Sequence, residues 1–281
     1  MPRQPRPATG LRAPAPAKLN LALVVGPPGE DGRHELVTVL QRIDLCDRID
    51  LRDAPELTVG GYVNDTLVRR ALSELGRAAG MEPRWAVRIE KRIPVAAGLG
   101  GGSSDAATAL RLANRTLERP LPDEDLHRLA AALGADVPFF LQTGPKLGEA
   151  DGTRLSALDL PQDYWAVVVL PHGEEKGATA LVYSEFDSRG GWEGYEERRA
   201  ALLRALGEIR RPRDLAALPP NDLASSPLAR ELLALGAFRA DVTGAGPAVY
   251  GLFHHEPHAR RAARTLRRRA RTWVTVPAWY G

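Results

Sequence analysis

Cysteine is almost missing from this 281-residue chain. Cys46 is the one thiol, which excludes a disulfide framework and any zinc site built on cysteines. Long hydrophobic runs are missing too: no stretch approaches the ~20 apolar residues that a membrane span needs. A strong excess of one charge is also lacking, because 38 Lys and Arg face 35 Asp and Glu, a net charge of +3. That balance argues against a dedicated nucleic-acid binder, which concentrates basic residues on one face. The one dense basic stretch is Arg260, Arg261, Arg264, Arg267, Arg268, Arg269 and Arg271, and it reads as a solvated helix face. Lysine is scarce as well. In so arginine-rich a chain the four lysines, Lys18, Lys91, Lys146 and Lys176, invite the question whether a compact ammonium is required where a planar fork would not serve.

What remains is ample for folding: 44% hydrophobic residues in a length that suggests one large domain or two modest ones, enough to bury a full core. The opening residues 1–13 read as a disordered, proline-rich arm without the apolar stretch of a secretory signal, on a protein expected to be cytoplasmic. Residues 18–25 and 36–45 read as strands, and a helix with Leu67, Ala71, Leu72 and Leu75 on one face ends at Gly80. Trp85 to Ile89 alternates as a strand. Helices are expected over about 104–117 and 123–133, with a turn into a short helix at 134–138. A boundary near residue 160, after a stretch rich in Gly, Pro and Asp, gives domains at 14–160 and 161–281. In the second, a strand at 165–170, helices at 195–209 and 228–235, strands at 239–243 and 249–253, a helix at 257–270 and a strand at 273–276 follow. With the 195–209 helix set aside as an insertion, the order is β-α-β-β-α-β, the split βαβ pattern.

The most informative stretch is Pro94, Val95, Ala96, Ala97, Gly98, Leu99, Gly100, Gly101, Gly102, Ser103 and Ser104. Four glycines in five positions let backbone N–H groups approach an anion closely, and the helix that Ser103 and Ser104 open offers its positive end to phosphate. A serine-capped turn needs far fewer glycines. Three common nucleotide loops fail on the residues: no Gly-Lys-Ser/Thr closes a Walker loop, position six from Gly98 is serine rather than glycine, and the companion motifs of protein kinases are missing.

The stretch resembles the ATP loop of the small-metabolite kinases named for galactokinase, homoserine kinase, mevalonate kinase and phosphomevalonate kinase. Pro16 to Leu21 and Val242 to Ala248 sit where that family has its other motifs. The resemblance runs from about residue 14 to the C-terminus. It implies a two-domain α+β fold, with an N-terminal domain like ribosomal protein S5 domain 2 and a C-terminal ferredoxin-like β-α-β-β-α-β domain. It also implies ATP and Mg²⁺ as donor and cofactor, a small-molecule acceptor, no nucleic-acid or membrane partner, and a monomer or weak homodimer.

Within the family, residues 31–36 (DGRHEL), 133–140 (LGADVPFF) and 221–223 (NDL) resemble a branch whose acceptor is a methylerythritol carried on cytidine diphosphate. That branch phosphorylates its C2 hydroxyl in non-mevalonate isoprenoid precursor synthesis. On this resemblance Asp136 is the catalytic base and Lys18 the ammonium paired with it; by themselves these residues read equally well as a helix cap and a solvated strand edge. Asn20 shares a strand face with Lys18 and is expected to hydrogen-bond the substrate. His34 would read the cytosine edge, with Arg33 standing where the family has a tyrosine, and with Tyr183, in a segment that opens at Thr179, on the other face of the ring. Thr243 and Gly244, in the third glycine stretch, would close over the phosphates. Residues 221–223 read as capping and packing, and residues 148–152 match the family poorly and carry no assignment. Two other readings stay open: a related kinase for homoserine, mevalonate or a sugar, and an idle nucleotide- or RNA-binding protein.

Overall fold

Alternation of apolar and polar residues at Trp85, Val87 and Ile89 produces a strand with one buried face, and the computed structural model shows it as β4, Trp85–Glu90, those three residues inward and Arg88 and Glu90 outward. The structure describes residues 10–30, 32–173 and 179–278. The elements in chain order are β1 Leu11–Pro28, β2 His34–Asp53, β3 Thr58–Gly60, α1 Leu67–Ala78, β4, α2 Gly101–Asn114, α3 Asp123–Leu133, α4 Val137–Leu141, β5 Lys146–Glu149, β6 Arg154–Ala157 and β7 Trp165–Pro171. They continue with α5 Thr179–Ser188, α6 Tyr195–Glu208, a 3₁₀ turn at Pro212–Ala217, α7 Pro227–Ala234, β8 Arg239–Val242, β9 Val249–Phe253, α8 Glu256–Leu266 and β10 Ala270–Thr275.

Among the described residues the chain forms two compact units, one drawn from 1–16, 46–93 and 101–141, the other from 17–45, 94–100 and 142–281. In the first, β4 pairs antiparallel with the second half of β2 (Ile49 opposite Ile89) and parallel with β3. α1 lays Val68, Ala71, Leu72 and Leu75 inward, the i, i+3, i+4, i+7 stripe of an amphipathic helix. α2 is buried almost all round, and its alanines let it pack closely between α1 and α4.

In the second unit, β2 opposes β5 at Thr38–Leu40, and β5 and β6 form a hairpin. The C-terminal sheet has the order β10-β7-β9-β8 with every pair antiparallel, which is the split βαβ arrangement expected from the sequence. Its core is Val167, Val169, Val249 and Phe253 of the strands against Leu232 of α7 and Ala259, Ala263 and Leu266 of α8. The arginines on α8 and just beyond it are exposed.

Four expectations are corrected. The disordered arm expected over 1–13 lies outside the described residues as far as 9, but from Leu11 the chain is strand. Pro14 and Pro16 are tolerated because they share the phase of Lys18 and Asn20, whose N–H groups point to the edge away from β2, so no ladder donor is lost. α2 begins at Gly101 rather than near Ser104. The Gly-, Pro- and Asp-rich stretch holds the β5–β6 hairpin, and α5 was not anticipated. Asp31 and Lys176 lie outside the described residues.

Candidate active site

β1 is covered on both faces from Ala15 to Gly26, and its free edge gathers the site. The Lys18 N–H donates to Leu99 O at 2.9 Å, joining the glycine loop to the strand, and the Asn20 N–H donates to Thr243 Oγ1 at 3.0 Å. Farther along, Tyr250 OH donates to Leu21 O, and Asp222 N–H to Leu23 O. An edge that would otherwise invite pairing with another chain is thus used to hold two glycine-rich turns and the Asn221 segment.

Lys18 is 4% exposed, which excludes the solvated-edge reading. Its ammonium donates to Asn20 Oδ1 at 2.6 Å. The orientation of that amide follows from its other end: Asn20 Nδ2–H donates to Thr38 Oγ1 at 2.8 Å, and the Thr38 hydroxyl in turn donates to Ala22 O. With the donors committed there, Oδ1 is left to face the ammonium. Thr243, fully buried, has its hydroxyl 3.3 Å from the same Oδ1 and 3.5 Å from Gly98 O. Sequence reasoning missed Thr38, which looks like one polar position in an apolar strand.

Gly98 has φ +82°, and a Cβ there would lie 2.3 Å from Thr243 O, so only glycine lets the first and third glycine stretches close on each other. Ala248 N–H donates to Ala97 O at 3.2 Å in the same junction. Gly244, φ +59°, has Lys18 Nζ within 3.4 Å of where a Cβ would stand. Asn221 Nδ2 donates to Val242 O and Gly244 O, fixing the third stretch from behind. In the other unit, Asp136 is half-buried at the turn before α4. Ser104, in α2, is fully buried, and its Oγ has no hydrogen-bond partner among the described residues.

His34, at the start of β2, is 9% exposed. Its Nδ1 lies 2.8 Å from Gly26 O and donates there, leaving Nε2 3.3 Å from Asp187 Oδ2. The ring faces Tyr183 at 4.9 Å between centroids, tilted by 36°, and meets Phe186 edge-on at 6.0 Å. The three α5 residues, at i, i+3 and i+4, share one face of the helix, whereas Thr179 is exposed at its start. Phe186 and Asp187 were not found from sequence, since α5 has little apolar periodicity to mark it. Arg33 pairs with Asp151 at 2.8 Å, in the β5–β6 turn that the sequence left unassigned.

The family models for "GHMP kinases N terminal domain" and "GHMP kinases C terminal" match residues 66–144 and 198–272, and the chain belongs to the GHMP kinases, enzymes that phosphorylate small-molecule alcohols from ATP. Within that family it stands with the 4-diphosphocytidyl-2-C-methyl-D-erythritol kinases. The kinase of that name from Geobacter sulfurreducens is 38% identical over 281 residues, 93% of this chain and 96% of that protein. The one from Anaeromyxobacter dehalogenans is 38% identical over 276 residues, 92% of this chain and 85% of that protein. A crystal structure of 4-(cytidine 5'-diphospho)-2C-methyl-D-erythritol kinase superposes with a TM-score of 0.77 at 34% identity, covering 95% of this chain and 99% of that one. A mevalonate kinase structure, TM-score 0.72 at 14% identity over 95% and 99% of the two chains, shares the fold.

Proposed function

We infer that this chain transfers the γ-phosphoryl group of ATP to the C2 hydroxyl of 4-diphosphocytidyl-2-C-methyl-D-erythritol, giving the 2-phosphate and ADP in the non-mevalonate route to isoprenoid precursors. The observation that carries the reading is the buried Lys18 ammonium beside Asn20 and the junction of the two glycine turns. Phosphoryl transfer asks for positioning, for neutralised charge and for a group that handles the acceptor proton. Residues 94–104 cradle the nucleotide's phosphates with backbone N–H groups. Thr243 and Gly244 close over them. Lys18 stabilises charge developing on the attacking oxygen, and Asp136 takes its proton. A carboxylate of ordinary basicity is a weak base for an alcohol, so the ammonium's acidifying effect is part of the chemistry.

His34 reads the cytosine edge through Nε2, with Tyr183 stacking on the ring and Arg33 supplying a planar cation in place of a second aromatic. Among the described residues no group of three His, Cys, Asp or Glu is placed to hold a metal ion. Mg²⁺ is commonly held by substrate phosphates, waters and one or two carboxylates rather than by an all-protein cage, and it would arrive here with the nucleotide. When bound, it neutralises charge on the phosphates. Domains at 14–160 and 161–281, a cytoplasmic setting, a monomer or weak homodimer and the absence of nucleic-acid partners complete the reading. No helix among the described residues is long and apolar enough to cross a membrane.

The test is ADP release across a panel of acceptors: the cytidine diphosphate compound, homoserine, mevalonate and galactose. Turnover with the first alone is expected. Equal or faster turnover with any of the others would overturn the acceptor assignment.

A further inference from the structure

One cluster of buried charges takes no part in the chemistry above. Asp47 on β2 and Asp105 in α2 are 1% and 2% exposed, and both carboxylates reach one ammonium, that of Lys91. Asp105 Oδ2 accepts from it at 2.8 Å, and Asp47 Oδ2 accepts from it as well. The other Asp47 oxygen accepts two backbone N–H groups, from Arg92 at 2.5 Å and Ile93 at 2.8 Å. Asp105 Oδ1 is buried without a hydrogen-bond partner among the described residues.

The position of this cluster in the chain gives it meaning. Lys91, Arg92 and Ile93 directly precede the glycine loop, and Asp105 lies one turn into the helix that directly follows it. Asp47 therefore holds the incoming stem through two backbone bonds, and Lys91 ties that stem and β2 to the outgoing helix. Gly101 is moulded to the same cluster: a Cβ there would lie 3.2 Å from Lys91 Nζ and 3.1 Å from the Ile93 side chain. At Gly102, one residue on, a Cβ would meet nothing within 4 Å. Adjacent glycines thus answer different demands, Gly101 the stem and Gly102 open space for a ligand.

Stability alone does not account for the cluster. Two buried carboxylates and one ammonium are costly to desolvate, and well-packed apolar residues commonly serve a core as well or better. Buried ionic networks are better attested as devices that fix a register. We propose that Asp47, Lys91 and Asp105 are positioning residues, a buried three-way clamp that sets the spacing and orientation of the two stems of the ATP loop. The proposal rests on the reading of residues 94–104 as the phosphate cradle. Burial first, and the Asp47 carboxylate second, raise the proton affinity of Asp105.

Steady-state kinetics and thermal melting of the full chain test this with Lys91→Met, Asp47→Asn, Asp105→Asn and Gly102→Val. Lys91→Met and Asp47→Asn are expected to raise the KM for ATP about tenfold or more, the size of effect that small displacements in an active site produce, while the KM for the cytidine substrate stays within about twofold. Asp105→Asn, which keeps the shape of the group and an oxygen to accept from Lys91, is expected to leave the ATP KM within about twofold of wild type, and a rise as large as that of Lys91→Met would overturn the geometric account of the clamp. Gly102→Val reports on the cradle itself and is expected to raise the ATP KM. A folded Lys91→Met or Asp47→Asn protein with unchanged ATP KM, beside a raised one in Gly102→Val, overturns the clamp and leaves the cradle standing. Equal rises in both KM values mark general loosening and also overturn the clamp. An unchanged ATP KM in Gly102→Val overturns the cradle and the clamp with it.

Discussion

The Lys18 ammonium and the Asn20 side-chain oxygen are 2.6 Å apart in the interior of the second unit. The contact is a consequence of strand periodicity, since residues two apart share a face, and the Thr38 hydroxyl turns the amide so that its oxygen meets the ammonium. Asn20→Ala removes that orientation. It is expected to lower kcat about 100-fold with little change in the KM for ATP, the low end of what deleting a direct donor to a developing charge costs, because Asn20 acts on that charge through Lys18. Lys18→Ala and Asp136→Ala are expected to cut kcat by orders of magnitude with ATP binding kept. Stopped-flow single-turnover rates decide the matter; rates within a few-fold of wild type in these variants would exclude the assigned roles.

A different readout belongs to His34. Its Nδ1 is committed to Gly26 O and its ring to Tyr183 and Phe186, so Nε2, 3.3 Å from Asp187 Oδ2, is the nitrogen through which it would meet a base. His34→Ala is expected to raise the KM for the cytidine substrate about 10–100-fold, as loss of a base-stacking and base-reading side chain costs roughly 1–3 kcal/mol, with the KM for ATP held within about twofold. Equal effects on both substrates would refute the role.

Some of this was legible in the residues and some was not, for physical reasons. β9 and β4 stood out because alternation or a continuous apolar run marks a strand regardless of what it pairs with. The β5–β6 hairpin did not, because four-residue strands carrying Gly148 and charged neighbours have no periodicity, and pairing with β2 more than a hundred residues earlier creates them. Prolines hid residues 11–16 as a strand, since only the strand's phase against its neighbours shows that no donor is lost. The scarcity of lysine drew attention to Lys18 and local spacing to the glycine loop, but the roles expected of Lys18 and Asp136 came from the family resemblance alone. Asp47 and Lys91 were not, because an aspartate in a strand with other charges reads as solvated until a lysine 44 residues away is brought to it.

Asp105 gives the protein a pH-dependent stability with a definite sign. Burial and the nearby Asp47 carboxylate raise its pKa to about 8, against the opposing pull of Lys91. A carboxyl group whose pKa is higher in the folded state than in the unfolded one, where it is near 4, contributes stability that is complete below that lower value. The contribution is lost as pH rises toward 8. The difference in unfolding free energy between pH 5 and pH 9 is therefore expected to shrink in Asp105→Asn, whose amide does not titrate. Chemical denaturation of both proteins across that range checks it, and parallel curves would remove Asp105 as the source.

Loss of Arg239 should be costly to the fold without touching the chemistry. It is 6% exposed on β8, and its guanidinium donates to Leu215 O, Leu218 O and Pro219 O and to Tyr250 OH, with Asp241 at 3.6 Å. Those carbonyls close the 3₁₀ turn and lead the chain to Asn221, which holds the third glycine stretch. Arg239→Met takes the guanidinium from Leu218 O and Pro219 O and the counter-charge from the buried Asp241 carboxylate, which keeps only its backbone donors Asn221 and Val242, and a loss of about 3–5 kcal/mol is expected, the usual result of removing one partner of a buried ion pair. Arg239→Lys restores the charge but not the fork that reaches three carbonyls at once, so it should recover only part of the loss. Urea unfolding of the two variants separates the contributions. Full recovery by lysine would show that charge, and not the geometry of the fork, holds this corner of the second unit.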